Sequence, residues 1–220
     1  MTPGCEMPNG LESKTERAIE ILDAADALIG EVGYDAVSAR DIAARAGVNK
    51  ALVFYYWGSK AELFDKILER YYQAHRQALA GAFEAEGSTR ERIHRVVDAY
   101  LDFMEQHRVY PRLIQQQLTG GGTHREAVLR HLAPFFDWTL LQLAEVTPRT
   151  GPLAARQFYL TISGIVTGYF TYAPALDSRW DGDPMSAEAL DERRAHVHWM
   201  VDTLLSALDA ESEKQEKSRD

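Results

Sequence analysis

Lys50 and Phe54 stand four residues apart, with Ala51 and Tyr55 beside them, and together they could read a base pair. On a helix that spacing puts Lys50 and Phe54 on one face. A lysine there can donate to guanine O6 or N7, and an alanine or a phenylalanine can touch a thymine methyl. Tyr55, Tyr56 and Lys60 could contact phosphate, which fixes register rather than sequence. Arg40, a little upstream, could reach either a base or a phosphate. The competing reading is that FYYW is ordinary core. It holds for Trp57, four residues after Val53, and in part for Phe54.

These residues need two short helices to present them. The stretch from Ser38 to Lys60 reads SARDIAARAGVNKALVFYYWGSK. Ser38 with Asp41 can close a capping box on the first helix. Ile42, Ala43 and Ala46 form its inner face, and Gly47 supplies a tight turn where a left-handed backbone suits glycine. Val48 can plug the corner, and Asn49 can cap the second helix. Two short helices joined by a glycine-containing turn are the helix-turn-helix arrangement. A recognition helix places its N-terminal residues on base edges in the major groove. Asn49, Lys50 and Ala51 occupy that end. The stretch holds four cations against one anion in a chain of net charge −9. The acid lies elsewhere, as in 177–192, where six acidic residues face one arginine. Such polarity suits a protein that shows one face to DNA.

DIAARAGVNKALVFYYWGSKAELF, with ERAIEILDAADALIGEVGYDAVS before it, resembles the N-terminal domain of the TetR family of bacterial regulators. The likeness covers about residues 14 to 64 in order, spacing and chain position. Three positions depart from the family's usual pattern. Leu52 stands in place of a threonine and Phe54 in place of a tyrosine, so two hydroxyl–phosphate bonds are missing. Trp57 in place of phenylalanine enlarges a core contact. A head of this kind relies on lysine, arginine, backbone amides and apolar contact.

The remainder reads as all-α. Helix starts are marked by Ser13/Glu16, Ser38/Asp41, Ser59/Glu62, Ser88/Glu91 and Thr123/Glu126, each ahead of a helical apolar pattern. Pro152 fits the first position of a further helix. Apolar stripes run through Ile19 to Val32, Leu63–Ile67–Tyr71, Ile93 to Met104, and Val197 to Leu208. The expected organisation is a flexible arm at 1–12, a three-helix DNA-binding domain at 13–60, a body of about six helices at 61–210, and a disordered tail at 211–220. One cysteine, Cys5, and no secretory or membrane-spanning stretch lead us to expect a cytoplasmic protein.

The resemblance implies that the body binds an effector and forms a homodimer through its last two long helices. The segment SGIVTGYF, with Gly164 and Gly168, and the stripe Val197, Val201, Leu204, Leu205 and Leu208 fit such an interface. A largely apolar effector could sit among the aromatic and polar residues of the middle helices. Tyr100, Phe103, Met104 and His107 form one group, and Leu113, Gln116 and Gln117 another. His131, Phe135 and Trp138 form a third group, which Phe158, Ile162 and Tyr169 of the next helix could face. Plain core packing is the alternative for each. We expect no enzyme, cofactor or metal site. The triple glycine at 120–122 lacks the Lys-Ser/Thr of a phosphate loop, and His196 and His198, two apart, do not share a helical face. The chain is thus expected to bind a palindromic double-stranded operator as a repressor dimer released by a small molecule. Two alternatives are a regulator without an effector, constitutive or partner-controlled, and an all-α enzyme or binding module whose helix-turn-helix segment only packs.

Overall fold

The computed structural model describes the backbone of residues 9–119 and 124–217, and side chains within 14–119 and 124–210. Nine α-helices and one short 3-10 helix account for the described chain, which contains no strand. The helices are α1 (Asn9–Val32), α2 (Ala39–Arg45), α3 (Lys50–Trp57), α4 (Lys60–Glu84), α5 (Thr89–Gln106), α6 (Tyr110–Thr119), α7 (Arg125–Leu143), α8 (Ala155–Tyr172) and α9 (Ala187–Lys217). The 3-10 turn Pro174–Arg179 joins the last two.

The helix starts follow local chemistry. Ser38 and Ser88 close reciprocal capping boxes with Asp41 and Glu91. Ser59 accepts from the Glu62 amide, and Asn49 from the Leu52 amide. These side chains satisfy amides that have no partner inside the helix. Three starts differ from expectation. Helix α1 is already helical at Asn9, so Ser13 lies inside it and the presumed arm is shorter. Helix α7 is capped at His124, without a side-chain bond, while Thr123 lies outside the described residues. Helix α8 begins at Ala155, beyond Pro152. Helix α9 runs through 211–217, which were expected to be tail.

Helix α4 is the axis of the molecule. Leu63, Phe64, Ile67 and Leu68 have no exposed surface, and the helix packs on α1, α3, α5 and α7. Further along it Tyr71 lies flat on Tyr110 of α6, ring centroids 4.1 Å apart. At its surface Arg70 bridges Asp23 and Asp26 of α1, and Tyr110 donates its hydroxyl to Asp26. Three helices meet at that one carboxylate.

Helix α9 packs on α5 and α8. Val197, Val201 and Leu205 are buried in this contact. Around it Arg194 reaches Asp98, Asp102 and Glu105 of α5. The rings of His94 and His198 meet through their Nδ1 atoms at 2.6 Å, while their Nε2 atoms face Asp202 and Asp98. The expected interface set is therefore corrected. Val197, Val201 and Leu205 belong to the chain's own core, Leu204 and Leu208 pack beside it, and Gly168 is half-buried. Only Gly164 of that set is exposed, alongside Leu160 at 56% and Trp199 at 61%. A helical stripe of period 3.6 names a buried face without saying whether the cover comes from the same chain.

Truncating Leu205 to alanine should cost about 2–5 kcal/mol of folding stability in urea unfolding, as expected of a buried leucine, while Ser206→Ala on the exposed side should change it by less than about 0.5 kcal/mol.

Candidate nucleic-acid interface and internal cavity

The turn between α2 and α3 is built as its sequence requires. Gly47 has φ of 65°, in the left-handed region. The Val48 amide donates to the Ala43 carbonyl at 2.9 Å, closing the turn. Val53 buries its side chain between the helices, and Trp57 donates its indole N–H to the Ala18 carbonyl of α1 at 3.1 Å. Helix α3 is thereby fixed on α1 and α4 by one face, which leaves the other free.

That free face carries Lys50, Ala51, Phe54 and Tyr55, with Tyr55 69% exposed. Lys50 sits 5.4 Å from the Phe54 ring, a cation–π distance that aligns the two side chains. Tyr56 is half-buried against the core, its ring set edge-on to Tyr55. Asn49 spends its side-chain oxygen on the Leu52 amide at 2.9 Å. Arg40 is exposed and, among the described residues, makes no hydrogen bond or ion pair. Arg45 is different, since Glu31 holds it by two bonds of 3.0 and 2.8 Å. Free positive charge on this face thus falls to Arg40 and Lys50.

Lys60 does not join them. Its ammonium turns inward, donates to the carbonyls of Tyr34 at 2.8 Å and Val37 at 2.7 Å, and lies over the Tyr34 ring. Burial presses its pKa below the usual lysine value. The expected phosphate contact is corrected to a structural tie. The two carbonyls belong to the turn after α1, which a sequence pattern does not place beside α4.

Inside the body lies a cavity of about 50 Å³ between α4, α5, α7 and α8. Tyr100, Phe135, Phe158 and Ile162 line it as expected. The other expected residues sit elsewhere. Phe103 stacks behind His75, and Met104 is buried against the Tyr71 hydroxyl. His107 and Tyr110 line a separate surface groove. Leu113 and Gln116 belong to an outer cleft with Val109 and Phe170, and Gln117 is buried apart from the cavity. His131 bonds Asp65. Trp138 packs on Phe83 with Arg76 over its face, and Tyr169 donates to the Pro184 carbonyl. Helical spacing brought Phe103, Met104, Leu113 and Gln117 to the interior without telling which side chain fills space and which bounds the cavity.

The residue that sequence reasoning missed is His75. It is 4% exposed, lines the cavity, and has neither ring nitrogen in a hydrogen bond among the described residues. Phe103 and Phe135 stack on it, each at 4.4 Å. The signal was present. Tyr71, His75, Leu79 and Phe83 continue the inner stripe of α4 at four-residue steps.

The head and the helical body behind it contain a helix-turn-helix formed by α2 and α3. Residues 21–67 match the family described as bacterial regulatory proteins, tetR family. The match is confined to the N-terminal helices and does not reach the helical body. An HTH-type transcriptional activator, FasR, of Mycolicibacterium smegmatis is 32% identical over 101 residues, 46% of each chain. An HTH-type transcriptional repressor of Mycobacterium tuberculosis is 47% identical over 64 residues, 29% of this chain and 32% of that one. The chain thus spans from 32% to 46% of these relatives' length, and they are named regulators rather than enzymes. Among solved structures, the fatty acid degradation regulator FadR from Bacillus halodurans superposes with a TM-score of 0.68 at 19% identity, over 86% of this chain and 94% of that one. FadR from Bacillus subtilis, solved in complex with stearoyl-CoA, gives 0.63 at 16% identity, over 86% and 96%. These likenesses extend the shared fold through the body. Among the described residues no helix is long and apolar enough to cross a membrane.

Burial holds the His75 pKa at about 3, with the neighbouring His107 adding to the depression. A histidine whose folded pKa is depressed contributes stability above its unfolded value of about 6.5, which is lost as pH falls toward the folded value. Going from pH 7.5 to 5.5, the protein should therefore lose about 1.4 kcal/mol more stability than its His75→Leu variant, read as the difference between two urea titrations.

Proposed function

We propose that the chain is a dimeric, sequence-specific DNA-binding transcriptional regulator that acts as a repressor, released from its operator by a small, largely apolar effector. The observation that carries the DNA-binding part is the free face of α3. It sets Lys50, Ala51, Phe54 and Tyr55 outward on a helix clamped through Val53 and Trp57. Such a helix can enter the major groove with Lys50 on base edges, while Arg40 and Tyr55 meet the backbone. The division into a head up to about residue 60 and a body beyond it goes with this reading.

Dimerisation is supported by the outward apolar residues of α8 and α9, Leu160, Gly164 and Trp199. Paired heads would read two half-sites about one helical turn apart. The apolar cavity supports an effector, as does the ligand-bound neighbour of the same fold. Repression is supported by the 47% identity of the head to a named repressor. For release, the effector must bind the DNA-incompetent arrangement more tightly than the competent one.

The test starts from a duplex selected out of a random pool by the full chain. Lys50→Ala and Arg40→Ala should each weaken binding by roughly tenfold, and the slope of log affinity against log salt should fall by about one for each phosphate no longer neutralised. Binding that is unchanged in both variants would remove the proposed footprint. Absence of any salt-dependent duplex binding would remove the regulator reading itself.

A further inference from the structure

The cavity is walled by apolar side chains with a few hydroxyl groups and one imidazole, and no charged residue lines it. The hydroxyls are already engaged. Thr139 donates to the Phe135 carbonyl at 2.9 Å, and Tyr100 shares Ser163 with Tyr159. His75 alone on these walls keeps both polar atoms without a partner among the described residues. A buried polar group left so costs about 1–3 kcal/mol in folding. It becomes useful when something else enters.

Within the effector reading above, we infer that the cavity takes an uncharged, mostly apolar molecule bearing one hydroxyl or carbonyl oxygen, and that His75 hydrogen-bonds that oxygen. A neutral imidazole offers one donor and one acceptor. A hydroxyl can use either nitrogen, and a carbonyl uses the donor. An anion would be stripped of water among Leu79, Phe83 and Phe135 with no countercharge to meet it, a far costlier transfer. The ring itself supplies none, because burial keeps it neutral down to about pH 3. Its stacking between Phe103 and Phe135 fixes its plane, so the ring is an oriented donor rather than a mobile one. The present volume of about 50 Å³ is well below the ~300 Å³ of ordinary ligand pockets. The occupant is therefore small, and one wall must yield. The Tyr100 hydroxyl is only loosely tied, because its bond to Ser163 is 3.5 Å long, at the outer edge of hydrogen bonding.

Three probes with one ring and different polar groups test this: p-cresol, toluene and benzoate, titrated calorimetrically into the full chain and its His75→Leu variant. The expected result is that p-cresol binds the wild type about tenfold more tightly than the variant, toluene changes by less than about threefold, and benzoate binds neither. A second measurement needs no variant. In wild-type protein with ¹⁵N-labelled histidine, the His75 ring signals should move with p-cresol and stay with toluene. If p-cresol is indifferent to His75→Leu, if benzoate binds as well as p-cresol, or if both neutral probes shift the ring alike, this inference is overturned while the cavity remains an effector site. If no probe binds the wild type, the inference and the effector cavity fall together.

Discussion

Everything in this chain hangs on the burial of one helix. Helix α4 starts beside the helix-turn-helix, where Lys60 is tied to the carbonyls of Tyr34 and Val37. Its first turns are sealed by Leu63, Phe64, Ile67 and Leu68, and its far half carries His75 and Phe83 into the cavity wall. Four wholly buried large side chains represent roughly 6–12 kcal/mol of apolar transfer, using about 1.5–3 kcal/mol for each. That is comparable to the net stability of a typical domain. The helix therefore cannot shift at one end without disturbing its packing at the other.

The polar ties reinforce the same geometry. Asp26 of α1 receives Arg70 from α4 and Tyr110 from α6, so head and body share a carboxylate. Individually, exposed ion pairs are worth about 0–1 kcal/mol. Their value here is positional. They set the rotation of α1 against α4, and α1 holds Trp57 of the reading helix through the Ala18 carbonyl. A change at the cavity wall has a continuous packed route to α3, by way of α4 and α1.

The head was almost fully legible in the sequence. Capping residues, the Gly47 turn and the inner positions Ile42, Ala43 and Val53 each have one local meaning, and the local meanings agree. Lys60 escaped because its partners lie more than twenty residues upstream, brought close only by tertiary packing. The body was legible as helices, and less so as surfaces. Val197, Val201 and Leu205 announced a buried face, but α5 and α8 of the same chain cover it. Four of the expected pocket residues, Tyr100, Phe135, Phe158 and Ile162, line the cavity because their stripes point between helices. His75 continues the α4 stripe one step beyond Tyr71, and a lone histidine on an apolar stripe carries no local sign that it borders a cavity.

Helix α4 packs on α1 and α3 at one end and on α5 and α7 along its length, and hydrogen exchange of the full chain, resolved by peptide, tests whether these helices open together. Amides of α1 around 21–29 and of α4 around 63–72 should exchange together, through a single cooperative opening of the highest free energy in the molecule. The coupling is refuted if α1, α2 and α3 open as a separate unit of much lower free energy while α4, α5 and α7 stay protected.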